Sequence, residues 1–115
     1  MTSETRTDLL QGTLDLLVLQ TLAIEPLHGW GLAQRIGTMS RGAFEIQQGT
    51  LYPALQRLRR KGWVHSDWRL TENNRRARYY AITKAGERRL ERERREWERV
   101  SGGVNAVLRW QGGVA

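Results

Sequence analysis

The chain has 115 residues, enough for one domain with a single modest core. Its net charge is +7, from 19 basic against 12 acidic residues, which directs attention to an anionic partner. There is no cysteine, and the two histidines, His28 and His65, lack metal-ligand spacing, so disulfide frameworks, cysteine catalysis and zinc enzymology are excluded.

Residues 9–24, LLQGTLDLLVLQTLAI, set Leu10, Leu14, Leu17, Val18 and Leu22 at helical spacing, with Leu16, Leu19 and Ala23 on a second stripe. A helix apolar on two sides is buried on two sides. It is either the central core helix or one that also meets a second subunit, through Leu14 and Leu17. Pro26 ends it. Residues 28–39 predict a second helix, opened by His28, with Leu32, Ile36 and Met39 inward; its three glycines cost propensity that close packing offsets. Residues 40–43 read as a turn, and Phe44-Glu45-Ile46 as a short stub of strand.

Residues 48–61, QGTLYPALQRLRRK, predict a third helix that buries Leu51, Leu55 and Leu58. Thr50, Pro53, Ala54, Arg57 and Lys61 lie on its other side. Proline is tolerated in the first turn, which sets the helix start near Gly49–Thr50. Gly62 is a C-terminal stop. The period then falls to two. Residues 63–69 read as a strand, 70–77 (LTENNRRA) as a turn-rich tip and 78–82 as a returning strand, making a β-hairpin with a basic, extended tip. Trp30, Trp63, Trp68, Tyr79 and Tyr80 read as core packing beneath it.

Thr83 is an N-cap candidate for a long helix from about Lys84. Leu90, Trp97 and Val104 are spaced by seven, as are Val100 and Val107. This short heptad seam has nothing left to bury against inside so small a domain, so it suggests self-association. Gly102-Gly103 either lets two helices approach closely or breaks the helix.

Three helices, a hairpin and a long helix give the layout of a winged helix-turn-helix, mainly α with a small β-hairpin wing. Residues 1–82 form the DNA-binding domain and residues 83–115 a C-terminal dimerisation helix with a frayed tail, together one compact unit. In this architecture the third helix enters the major groove and the wing reaches the backbone or minor groove. The charge follows the same plan. Residues 1–56 carry a net −2, whereas residues 57–78, the end of the third helix plus the hairpin, carry +6. Residues 83–99 alternate in sign, as on a solvated helix face.

HGWGLAQRI, GTLYPALQRL followed by GWV, and NNRRARYYAITKAG resemble the PadR family of bacterial transcriptional regulators. The resemblance runs from about residue 9 to residue 100, and the single C-terminal helix is similar to the family's short form. It implies a homodimer on a pseudo-palindromic operator in double-stranded DNA, usually a repressor, with some members released by a small aromatic or phenolic effector. It also implies that Thr50, Tyr52, Pro53, Gln56 and Arg57 touch DNA.

Each candidate has a plainer alternative. Thr50 either caps the helix or bonds a phosphate. Tyr52 reaches phosphate through its hydroxyl or packs on the wing. Gln48 reads adenine bidentately or stays in water. Arg57 has the best placement for a groove contact. Asn73 and Asn74 make the turn, and Arg75 and Arg76 contact phosphate or the minor groove, or are simply solvated charge. Arg78 joins them or pairs with Glu72 or Asp67. Arg59, Arg60 and Lys61 favour the helix dipole. Trp97 is a dimer-core tryptophan, or one of a pair across the dimer axis that lines a pocket for an aromatic effector. Trp110 is a weaker candidate, and His28 makes a structural hydrogen bond.

The competing function is a winged-helix protein-interaction module that docks an acidic partner. An enzyme has nothing to stand on, since the sequence has no nucleophile–base pair, phosphate-cradling loop or metal constellation. No cofactor is called for. No run of 18 apolar residues offers a membrane span, and the polar start MTSETRTDLL does not read as a secretory signal, so a cytoplasmic protein is expected.

Overall fold

The computed structural model describes residues 3–113, with side chains from residue 12 onward. The elements run α1 (Ser3–Ile24), β1 (Leu27–His28), α2 (Gly29–Met39), α3 (Gln48–Arg60), β2 (Val64–Leu70), β3 (Arg76–Ile82) and α4 (Lys84–Leu108). Leu14, Val18, Leu19 and Leu22 of α1 are buried against Leu32 and Ile36 of α2 and Leu51, Ala54, Leu55 and Leu58 of α3. Leu16 and Leu17 are partly buried at the edge of this core, and the Leu10 side chain lies outside the described residues. α1 is thus the central helix. Leu14, expected at a subunit interface, belongs to the core of its own chain, because the other helices packed on α1 already bury it. Thr21 is buried too, its hydroxyl donating to the Leu17 carbonyl at 2.7 Å.

Two short elements differ from the sequence reading. Leu27–His28 is a strand, pairing antiparallel with Tyr79–Tyr80 to make a sheet of order β1-β3-β2. Phe44–Ile46 is not a strand. The place beside β3 is already taken by Leu27–His28, and Phe44 and Ile46 instead seat on the core from a loop. His28 caps α2, its Nδ1 accepting from the Gly31 amide at 3.0 Å.

α3 begins at Gln48, earlier than its proline suggested. Gln47 is the N-cap and makes no side-chain cap bond, so Thr50 is a third helical residue rather than a cap. Pro53 therefore lies past the first turn. The carbonyl it leaves unpaired belongs to Gly49, which is exposed and open to water. Ala54 is buried, not on the outer side. The helix stops as expected: Gly62 takes φ +77°, with Gly62 N–H donating to Arg59 and Trp63 N–H to Leu58.

The hairpin is longer and tighter than its sequence suggested. β2 and β3 pair from Val64↔Ile82 out to Leu70↔Arg76, leaving a loop of only Thr71–Arg75. Asn74, at φ 64°, makes the reversal, and the Thr71 hydroxyl accepts from the Arg75 amide. Arg76 is consequently a strand residue.

α4 is docked at its start. The Thr83 hydroxyl donates to the Gly62 carbonyl at 2.7 Å and accepts from the Gly86 amide at 3.0 Å. Gly86 passes so close to Trp63 that an added Cβ would collide with the Trp63 carbonyl oxygen. Leu90 is the last buried side chain of α4. Beyond it the helix projects, unbroken through Gly102-Gly103, giving the molecule extents of 62 × 32 × 22 Å.

Candidate nucleic-acid interface

With Leu51, Ala54, Leu55 and Leu58 inward, α3 turns Thr50, Tyr52, Pro53, Arg59 and Arg60 to solvent, with Gln48 and Gln56 half-exposed. The start of α3 is tied to the start of α2. Gln48 Nε2 donates to the Gly29 carbonyl at 3.5 Å, a long bond. A Cβ on Gly29 would lie 3.0 Å from the Tyr52 hydroxyl, so the glycine is what admits the phenol there. Tyr52 therefore rests on α2 rather than on the wing, and the residue is still 45% exposed. Gln56 Oε1 accepts from Arg59 at 3.1 and 2.9 Å, holding that guanidinium along the outer face.

Arg57 is placed otherwise. Its Nη2 donates to Asp15 Oδ1 of α1 at 2.6 Å, and neither side chain is more than a third exposed. Burial pushes the Asp15 carboxyl above its ordinary value, and the Arg57 hydrogen bond and charge pull it back only in part. The arginine with the best placement by helical spacing thus faces the body of its own chain. Its acidic partner, 42 residues earlier, carried no signal that one sequence could reveal.

On the wing, alternation puts Val64, Ser66, Trp68 and Leu70 on one face, opposite Ile82, Tyr80, Arg78 and Arg76. The base of this face is buried and its outer half is not. Trp68 is 56% exposed, as is much of Leu70, and Trp30 on α2 is exposed too; none of the three is core packing. Val64 and Tyr80 meet the core where α3 packs on β2 and α1 on β3, while Trp68 and Leu70 lie beyond that packing. Arg76 and Arg78 sit over the Trp68 ring at 5.3 and 5.7 Å, so Arg78 pairs with neither Glu72 nor Asp67. Asp67 instead binds Arg69 at 3.1 Å. Arg75 and Asn74 are exposed at the turn.

Tyr80 marks where helix and wing meet. Burial raises its phenol above the ordinary value; Arg78 of the wing lowers it, Tyr52 raises it and Arg59 lowers it. α3 packs against β2, so the outer side of α3 and the outer half of the wing flank one junction and make up a single candidate surface. Arg59 and Trp68 belong to it and were not singled out from sequence. Arg59 reads as a dipole partner in isolation, and Trp68 is one more apolar residue in an alternating strand.

A second exposed feature lies on α4. Trp97, Val100, Val104, Val107 and Leu108 form an apolar strip, with Trp97 half exposed. Trp97 and Val100 also border a groove against Thr13 and Leu16 of α1. No helix among the described residues is long and apolar enough to cross a membrane.

A helix-turn-helix of α2 and α3, followed by a two-stranded wing with arginines along the shared outer face, defines a winged helix-turn-helix of the DNA-binding class. Residues 18–92 match the model of the transcriptional regulator PadR-like family. A transcriptional regulator of Mycobacterium tuberculosis is 35% identical over 84 residues, covering 73% of this chain and 75% of its own. A PadR family regulator from Eggerthella lenta superposes with a TM-score of 0.74 at 31% identity, covering 93% of this chain and 91% of that one. A transcriptional regulator from Clostridium thermocellum gives 0.77 at 28% identity, covering 85% and 95%. The chain belongs to the PadR-like family of transcriptional regulators, and it is a DNA-binding regulator rather than an enzyme.

Proposed function

We propose that two copies of this chain bind a pseudo-palindromic operator and repress the adjoining gene from the cytoplasm. The observation that carries the reading is the candidate surface of α3 and the wing, which presents Arg59, Arg60, Arg75 and Arg76 from a segment, residues 57–78, of net charge +6. Gln48, Thr50, Tyr52, Pro53 and Gln56 enter or border the major groove, and Arg59 follows them toward the backbone. Asn74, Arg75, Arg76 and Arg78 take the flanking phosphates and minor groove. Arg57 joins only by exchanging Asp15 for a phosphate.

Residues 1–82 act as the reading head and residues 83–115 as the pairing unit. The α4 strip of Trp97, Val100, Val104 and Val107 meets its two-fold copy, with Leu17 at the margin. Valines and a tryptophan in so regular a row would otherwise stand in water. A small aromatic effector would insert beside the paired Trp97 rings, stacking on them and shifting the angle between the heads.

The test is a salt series on duplex DNA. Each arginine–phosphate contact contributes about −0.9 to the slope of log K against log salt. Arg75→Ala with Arg76→Ala should flatten the slope by about 2 per head if each takes one phosphate, with the fold intact by circular dichroism. An unchanged slope removes the wing from the interface. A wild-type protein that retards no mixed genomic fragment at low salt favours instead a module docking an acidic protein.

A further inference from the structure

Trp68 is not explained by the fold. Its indole is 56% exposed at the outer half of the wing, next to Leu70, which is 61% exposed on the same face. A large apolar pair on a protruding hairpin costs solubility and adds nothing to the core. The surroundings of the ring are charged. Arg78 stands directly across the ladder and Arg76 diagonally, with guanidinium centres 5.7 and 5.3 Å from the ring centroid. The Arg78 Nε is buried with no hydrogen-bond partner among the described residues, and the guanidinium is stacked on the Trp68 ring. The result is an indole with two cations already aligned beside it.

We propose that Trp68 is a DNA-contacting residue: its indole packs on the deoxyribose wall of the minor groove, with Leu70 alongside, while Arg76 and Arg78 take the phosphates to either side. The inference rests on the reading of α3 and the wing as a DNA interface. Three features support it. Trp68 lies on the wing face that continues from Tyr80, on the strand that α3 packs against. The flanking charge is positive, which selects a polyanion over an apolar or basic partner. The guanidinium groups are held before binding, so little side-chain entropy is lost when they meet phosphate. An apolar residue on sugar adds affinity that salt does not screen, whereas the arginines add affinity that it does.

The two parts separate by measurement. The full chain is titrated against a mixed-sequence duplex of about three helical turns over a salt series. Trp68→Ala should weaken binding about tenfold at every salt concentration with the slope unchanged, in the range of aromatic packing on nucleic acid. Trp68→Tyr should recover most of the loss, because it restores a ring, and it also controls for folding. DNA should change the fluorescence of the wild type much more than that of Trp68→Tyr. Wild-type affinity in Trp68→Ala overturns the proposal and leaves the DNA reading standing. A flattened slope also overturns it, since Trp68 would then act only by holding the arginines. A change in sedimentation with no change in DNA affinity would assign the ridge to a contact between copies and likewise overturn it. No binding by the wild type removes both this inference and the function beneath it.

Discussion

At the scale of single residues, the informative pair is Arg57 and Asp15. Their bond clamps α3 to α1, yet burial still leaves the Asp15 carboxyl raised, with Lys61 lowering it further and Glu93 of α4 raising it. A raised carboxyl binds its proton more tightly in the folded chain than in the unfolded one. Its contribution to stability is therefore fully present below the ordinary value of 3.8 and is lost as pH rises through the folded value. The two partners should behave unequally. Arg57→Ala leaves a buried carboxylate alone and should cost about 1–2 kcal/mol near pH 7, an amount partly recovered near pH 4.5. Asp15→Asn should cost less, because it removes a desolvation cost and leaves a partly solvated guanidinium. Urea melts of both variants at the two pH values check this. Unchanged stability in Arg57→Ala together with lost DNA affinity would return Arg57 to the groove.

At the scale of elements, the joint between wing and α4 depends on one backbone approach. Gly86 lies against the Trp63 carbonyl where the hairpin begins, and the Thr83 hydroxyl reaches the end of α3 through Gly62. Gly86→Ala should destabilise by about 2–3 kcal/mol, since backbone rather than a flexible side chain must give way. A thermal melt reads this, and a wild-type midpoint would mean that α4 pivots freely on the head. The elements differ in how legible they were. α1, α3 and the hairpin could be read because Leu51, Leu55 and Leu58, or the alternation through Val64, repeat within one element. The Leu27–His28 strand and the loop seat of Phe44 and Ile46 could not, since two or three residues carry no period and their roles depend on which edge of β3 is free. The start of α3 is not legible from Pro53, because proline favours the first turn, whereas this helix tolerates it further in, where an exposed Gly49 carbonyl meets water. In the interface, Thr50, Tyr52 and the wing arginines were visible as outward positions. The diversion of Arg57 and the exposure of Trp68 were not, as both depend on contacts between elements distant in sequence.

At the scale of the whole molecule, the proposed dimer gives the projecting half of α4 the task of bringing two heads together. Truncation before Arg95 removes Trp97 and every valine of the strip while sparing Leu90, the last core contact of the helix. The expected product is a folded monomer by sedimentation, and its affinity for duplex DNA should fall by about a hundredfold or more as the second head is lost. A dimer that survives would move the interface to the exposed margin of α1. Glycines at 102 and 103 do not interrupt the helix, so head and strip share one rigid shaft of about 37 Å. Such a shaft works as a gear. Each residue advances it by about 1.5 Å and turns it by about 100°. A single residue inserted between Leu90 and Trp97 would leave both ends chemically intact and, in the proposed dimer, rotate each reading face relative to the pairing strip. In the proposed dimer, the spacing and handedness of the DNA sites open to this protein would thus be measured out in turns of that one helix.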